Sequence, residues 1–444
     1  MLLKGQGSYA KCSSTTSCAS IQLSTSGEPL PTPTHEPVGS VYWIVESPLS
    51  ERDTQRFGIR TLRNTGLGVH VWDVSQIYLP HSNLQSLQTP ADIHPMKFSD
   101  IASVQRACAK LVEADLVISI CGTYVGQLSS HRDLLTALSQ SRATLGTVSA
   151  THIPQVPRVD SPQDKPFSRR RVLERISEMP RRFVYRHSLL TRTYQRWVYK
   201  RRKLRPLDIV WCGTNIETVH PVLLSARTTI KFTHSFDYDQ VLAFRESVET
   251  TQIGPVLIDS MGPLHPDYAS LQVSTDGLSE IEYFEALRSF LDAFERVTGS
   301  RVVIAAHPRA MRGLLEERYG GRAIHYGETI RLIGLADAVV LTLASTAVSA
   351  AVAFAKPIIG VELPSVDAQN QFELKYLSSL LRFPLYSPDF DFASAPVLPV
   401  DAFAYAEYMA RYVKRPGTPE IGFWDAVAID AHEIVKSRRQ DPPS

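Results

Sequence analysis

Short apolar runs and longer amphipathic stretches alternate along most of this chain, and that rhythm leaves few folds open. "VYWIVES" (41–47) and "GVHVWDVS" (68–75) have the β-branched and aromatic content of buried strands. Between them, "ERDTQRFGIRTLRNTG" has helical periodicity and stops at Gly66. The helix "DIASVQRACAKLVEA" with its Asp100 cap, the strand "DLVISICG", the helix "HRDLLTALSQS" and the strand "ATLGTVSA" continue the pattern. Two further strands, "LDIVWCGTN" and "TTIKFTHSFDYD", are expected to finish a first domain. A second series opens at "GPVLIDSMGPLHPDY", passes through the helix ending at Gly299 and the strand "RVVIAAHP", and runs to "KPIIGVE". It implies four or five parallel strands. Strictly alternating β and α elements predict parallel sheets covered on both faces.

At 444 residues the chain exceeds one ordinary core, so two domains are expected, with the boundary in Glu246–Gly254. The fold class is α/β: two doubly wound Rossmann-type domains, 39–248 and 249–395, with an interdomain cleft. Residues 396–444 are expected to be helices packing back across both domains. Residues 1–38, rich in Ser, Thr, Pro and Gly, read as a disordered leader with no secretory-signal core. The composition, 43% hydrophobic and 21% charged, suits a globular chain, and no apolar run approaches the ~20 residues of a spanning helix. Five scattered cysteines (Cys12, Cys18, Cys108, Cys121, Cys212) lack metal-type spacing and suit reduced thiols in a cytoplasm, with Cys108 and Cys121 buried.

The net charge of +2 conceals a basic insertion, 163–205. From Lys165 to Arg205 there are fifteen Lys and Arg against Glu174 and Glu178, interleaved with Phe183, Tyr185, Tyr194, Trp197 and Tyr199. Such a stretch fits a helical segment held at an anionic membrane surface. RNA binding and a plain solvated face are the alternatives, and nucleic acid is the less favoured partner.

Three strand ends in the second series carry chemistry-bearing side chains. Asp259 follows "PVLI" and precedes Gly262, His265 and Asp267; His307-Pro308-Arg309 ends "VVIAA"; Ser345-Thr346 follows "VVLTLA". Parallel strands bring all three to one edge. There Ser345 and Thr346 would cap a helix whose N-terminus favours a phosphate. Turn residues and ordinary capping are the structural alternatives at each position.

These segments also carry a resemblance. "HPRA" followed by "ADAVVLTLASTAVSAAVAFAKPIIGVE" resembles the C-terminal domain of GT-B fold glycosyltransferases, where a Ser/Thr pair opens a helix and Gly/Ala-Lys-Pro begins the next strand. A His-Pro corner with a Ser-Thr pair looks most like the bacterial enzymes that use CMP-activated sugars, the sialyl-, polysialyl- and Kdo transferases. "HSFDYD", "DSMGPLHPDY" and "VVIAAHPR" are similar to surface-carbohydrate (capsule or lipopolysaccharide) biosynthesis proteins. The resemblance covers roughly 230–365 by motif and the preceding domain by architecture alone. Two departures matter. The glutamate that many nucleotide-diphosphate-sugar enzymes use to grip the ribose is replaced by Ala350, and the acidic pair before glycine survives only as Asp259-Ser260-Met261-Gly262.

The resemblance implies transfer of a sugar from a CMP-linked donor to a glycan or lipid-linked acceptor, without metal or other cofactor, on the inner face of the cytoplasmic membrane. It implies Asp259 as base, with His265 and Asp237 as further catalytic candidates and Asp239 or Asp267 as substitutes. His307, Pro308, Arg309, Ser345 and Thr346 would hold the donor phosphate. Asp237-Tyr238-Asp239 also matches a metal-binding Asp-x-Asp, though its position suits a helix start better. A nucleotide-sugar 2-epimerase and an inactive scaffold in capsule assembly share the fold.

Overall fold

The computed structural model describes residues 40–79, 89–124, 128, 130–150, 154, 156, 204–214, 216, 219–247, 249–265, 277–308, 310, 313, 315–393, 396 and 398–440, the side chains of Arg52 and of 437–440 aside. The leader, Cys12, Cys18, the basic run 163–203, Asp267 and Arg309 lie outside the described residues.

Thirteen strands are described: β1 Ser40–Val45, β2 Gly68–Asp73, β3 Met96–Lys97, β4 Leu116–Ser119, β5 Thr144–Ser149, β6 Ile209–Cys212, β7 Thr229–Phe232, β8 Val256–Ile258, β9 Val303–Ala306, β10 Ile324–Tyr326, β11 Val339–Leu341, β12 Ile358–Val361 and β13 Leu385–Tyr386. They form two sheets, ordered β3-β2-β1-β4-β5-β6-β7 and β10-β9-β8-β11-β12-β13. Every named pairing is parallel; β1, for instance, pairs Val41 with Val69 of β2 on one side and with Leu116 of β4 on the other. Two parallel, doubly wound Rossmann-type sheets are the architecture expected from the alternating pattern. Where the pattern implied four or five strands in the second domain, six are present.

The central strands of both sheets, such as β4, β6, β8, β11 and β12, are buried on both faces, which explains why they are continuously apolar. Val41, Trp43 and Val45 pack on one side of the first sheet, with Ile44 on the other. In the second sheet Val256 and Ile258 face one core and Leu257 the opposite one. The period of two along each strand therefore feeds two cores at once.

The helix expected over 51–66 is two helices, Glu51–Arg56 and Ile59–Asn64. Gly58 separates them with φ at 58°, a left-handed conformation in which glycine alone is unstrained. A Cβ at Gly58 would stand 2.1 Å from the Trp424 ring. The break thus seats the C-terminal helix Phe423–Gln440, whose Phe423, Trp424 and Val427 join the core of the first sheet. The preceding helix Ala402–Tyr408 puts Tyr405 and Tyr408 into the second core. The helix expected over "RAMRGLLEERYGG" is not seen in its described residues, 310, 313 and 315–321, which lie in turns, a bend and coil. Cys108, Cys121 and Cys212 are buried and unpaired, and burial raises all three thiols, Cys108 and Cys212 to about 12.

Candidate active site

A doubly wound sheet opens a crevice where successive strands depart in opposite directions, at the carboxyl ends. In the second sheet that point lies between β8 and β11; in the first it lies between β1 and β4. The two edges come together at one point. Pro154, beyond β5, lines one small cavity with Ala344, beyond β11, and with Glu373 and Tyr376 of the helix Ala368–Leu381.

The β8 end is built around Asp259, which is only 3% exposed. Its Oδ1 accepts the Met261 N–H at 2.7 Å and the Tyr319 hydroxyl at 2.5 Å. Its Oδ2 accepts the His307 N–H at 3.1 Å. Burial, then the Asp259 charge, drives the Tyr319 phenol well above its ordinary range, so it remains a donor. A carboxylate enclosed this way braces two loops and has no open side for an acceptor hydroxyl. That differs from the base expected at Asp259, and the physical reason is the third partner, Tyr319, which no spacing in the sequence placed there.

Beyond Asp259 the chain turns sharply. Met261 adopts φ 58° and Gly262 φ 46°, and a Cβ on Gly262 would meet the Tyr283 ring at 2.5 Å. A left-handed methionine costs about 1–2 kcal/mol, which the Asp259 hydrogen bond to its N–H helps to offset. Ser260 Oγ lies 3.1 Å from the Tyr283 hydroxyl and 2.8 Å from Thr342 Oγ1, tying the β8 end to the β11 end. The same turn carries His265 to the His307 ring, edge to face, with centroids 4.8 Å apart. Both histidines are partly exposed, and Pro308 is exposed. Sequence placed His265 and His307 near one edge; the structure puts their rings in contact.

Ser345 and Thr346 sit beyond β11, partly exposed. They do not cap a helix with their side chains as expected. The helix is Val348–Ala353, six residues long, and its N-cap is Ala347. Ser345 Oγ instead accepts the Ala347 N–H at 3.3 Å, while the Val348 N–H donates to the Ser345 carbonyl at 3.2 Å. A tight turn precedes the helix and takes up the cap positions. Ala350, where a ribose-gripping glutamate would stand, is fully buried.

Asp237 and Asp239 lie in the first turn of the helix Phe236–Glu246. Asp239 Oδ1 accepts the Phe423 N–H at 2.7 Å, and burial raises its carboxyl above the usual range. Asp237 borders a separate cleft of about 670 Å³, walled also by Arg56, Glu246, Glu420, Trp424 and Asp425. No residue of the His307 or Ser345 turns lines that cleft. Among the described residues no group of three or more His, Cys, Asp or Glu is gathered to hold a metal.

A group the sequence reading missed stands at the first sheet's crevice. Glu46, the residue after β1, places Oε2 2.7 Å from Nε2 of His131, which precedes the helix Arg132–Ser139. Ser130 Oγ is 2.9 Å from the His131 Nδ1, and Tyr78 stacks on the ring at 4.2 Å. The available signal was the position of Glu46 at the end of the first strand; nothing local to His131 announces its partner.

No family model and no curated protein matches this sequence. Solved structures do. The wall teichoic acid polymerase TagF is 10% identical over 91% of this chain and 90% of its own, with a TM-score of 0.46. WaaG, a glycosyltransferase involved in lipopolysaccharide biosynthesis, is 11% identical over 90% of this chain and 95% of its own, with a TM-score of 0.33. MurG of Acinetobacter baumannii is 10% identical over 88% and 98%, with a TM-score of 0.36. With every one of these TM-scores below 0.5, the functional reading stands on the residues of the site alone.

Proposed function

We propose that this protein is a glycosyltransferase that moves a sugar from a nucleotide donor, CMP-linked, to a glycan or lipid-linked acceptor in surface-carbohydrate biosynthesis. The observation that carries the reading is the contact of His265 with His307 at the second sheet's crevice, on the carboxyl edge that also bears Ser345 and Thr346. Two imidazoles and two hydroxyls on that edge form a donor-rich patch suited to a phosphate. Such groups stabilise negative charge as it develops on a leaving CMP without a metal. The buried Ala350 supplies no carboxylate for a ribose, which supports a CMP donor over UDP or GDP.

Asp259 holds the corner that aims His307, and Asp239 holds the C-terminal helix. Asp259 is too enclosed to act as a base, while Asp239 borders the separate cleft beside Asp237. Pro308 shapes the corner, and Arg309 is a further candidate phosphate partner by sequence alone.

The acceptor is expected at a membrane. No described helix is long and apolar enough to cross one. The excess of thirteen positive charges between Lys165 and Arg205 supports attachment to an anionic leaflet instead. Incubation with CMP-N-acetylneuraminate or CMP-Kdo and extracted surface glycolipid tests the activity. CMP release that requires the glycolipid is the expected result. Release of free sugar epimer without acceptor would assign an epimerase.

A further inference from the structure

We infer that one face of the helix Ala368–Leu381 binds a neutral pyranose of the acceptor, with Phe372 and Tyr376 as a stacking shelf and Glu373 accepting from its hydroxyls. The inference rests on the transferase reading for the nature of its ligand, and it adds the acceptor's chemical class to that reading.

The helix is capped by Asp367, whose side chain accepts the Asn370 N–H at 3.0 Å. Leu374, Leu377 and Leu381 turn into the core of the second sheet. An ordinary surface helix sets polar residues opposite such a stripe. Here Phe372 and Tyr376 are turned to solvent, each 38% exposed. Two rings one turn apart form a single patch rather than scattered exposure, the kind of surface that marks a ligand contact.

Gln369, Phe372, Glu373 and Tyr376 stand at i, i+3, i+4 and i+7, which places them on one stripe of the helix. The Gln369 amide Nε2 donates to Glu373 Oε1 at 2.8 Å, so the carboxylate is held along that stripe. Glu373 and Tyr376 also line the small cavity shared by Pro154 and Ala344, where the edges of the two sheets come together. Ala344 is the neighbour of Ser345, so the stripe adjoins the edge proposed for the donor phosphate.

The chemistry of the stripe selects a sugar. One face of a pyranose presents C–H bonds, whose hydrogens pack against the negative face of an aromatic ring. Hydroxyls at its rim donate to a carboxylate and accept from an amide, and Glu373 beside Gln369 offers both. Cβ atoms four positions apart on a helix are about 5–6 Å apart, so the two rings make one continuous shelf. Glu373 gives the stripe a negative charge, and the neighbouring cation Lys375 is paired with Glu362 at 3.1 Å. An anionic sugar would be repelled by that carboxylate, whereas a neutral ring would not. A lipid chain would be served by the rings but would leave Glu373 and Gln369 without partners, so it is the sugar of the acceptor that fits here.

Saturation-transfer NMR on the full chain, with CMP present, tests the shelf. Lactose, maltose and chitobiose are the neutral probes and sialyllactose the anionic one. We expect transfer to the ring C–H protons of at least one neutral disaccharide and none to sialyllactose. Phe372→Ala and Tyr376→Ala should each weaken binding roughly two- to tenfold, the span of a single aromatic stacking contact, while Tyr376→Phe keeps the affinity. The melting temperature should hold in these variants, because both rings are exposed. Glu373→Gln should admit sialyllactose. No transfer to any neutral probe, unchanged affinity in both alanine variants, or a wild type that prefers sialyllactose overturns the shelf. So does loss of a dimer in the alanine variants with sugar binding unaffected, which would assign the face to a second copy of the chain. CMP affinity is measured on the same samples. Sugar binding that needs both rings, without any CMP binding, keeps the shelf and removes the transferase reading, whereas CMP binding without sugar binding removes the shelf alone.

Discussion

Asp259 Oδ2 accepts the backbone N–H of His307 at 3.1 Å, so the ends of β8 and β9 form one corner rather than two independent turns. With Met261 and Tyr319 on the other oxygen, the buried carboxylate is held by three donors, from its own turn, the β9 end and the segment around Tyr319. The arrangement converts a residue that looks like a base into one that sets the position of a phosphate ligand.

Replacing Asp259 with Asn therefore tests structure and binding together. The amide keeps one acceptor oxygen and turns the other position into a donor, which faces either a backbone N–H or the Tyr319 hydroxyl. A buried donor left without an acceptor costs about 1–3 kcal/mol. Urea unfolding should show a loss of that order, and nucleotide affinity should fall as the corner loosens. Intact stability and affinity with transfer abolished would restore Asp259 as the base.

His220 provides the pH dependence. It is 3% exposed, its Nδ1 accepts the Val222 N–H at 3.2 Å, and burial lowers its pKa from 6.5 to about 4. The unfolded chain takes up a proton near 6.5 and the folded chain only near 4. Stability is therefore full above about pH 6.5 and falls as the pH drops through that window, levelling below about 4, with a total on the order of 3 kcal/mol. His220→Asn retains an acceptor without the titration. Denaturant unfolding from pH 7 to pH 4 should show a shallower decline in this variant than in the wild type. Equal slopes would mean that other groups set the acid limit.

Much of the architecture was legible because the central strands are buried on both faces, so runs such as "VVIAA" and "AVVL" stand out against polar turns. What escaped was decided by distant partners. β3 and β13 have two residues each, too short to show periodicity. The helix over 51–66 is broken because Trp424, from the far end of the chain, fills the place of a Cβ at Gly58. At the site, the three strand ends were visible, and the contact of His265 with His307 follows from them. The burial of Asp259 was hidden because Tyr319 comes from a segment whose helical pattern is not realised. Glu46 and His131 were hidden because only the strand order of the first sheet makes them neighbours.

The basic run is addressed by its charge alone. Each cation near an anionic leaflet contributes on the order of 1 kcal/mol, screened by salt. Changing Arg169, Arg170, Arg171, Arg201 and Arg202 to Ser should release the protein from phosphatidylserine-containing vesicles in a sedimentation assay, and high salt should release the wild type. A wild type that ignores such vesicles at low salt would assign the segment to a solvated face or an RNA contact.

Nucleotide binding by the full chain decides the donor. Thermal melting in the presence of CMP, CDP, UDP and GDP should show stabilisation that is selective for CMP, since Ala350 is buried where a ribose-gripping carboxylate would stand and the His265–His307 pair remains. His307→Ala should weaken that binding by about 1.5–3 kcal/mol, the loss of a charge-assisted hydrogen bond, and leave the unliganded melting temperature close to the wild type. Stabilisation by UDP or GDP and not by CMP, or an unchanged CMP affinity in His307→Ala with a lowered melting temperature, would contradict the assignment of this corner as a CMP-phosphate site.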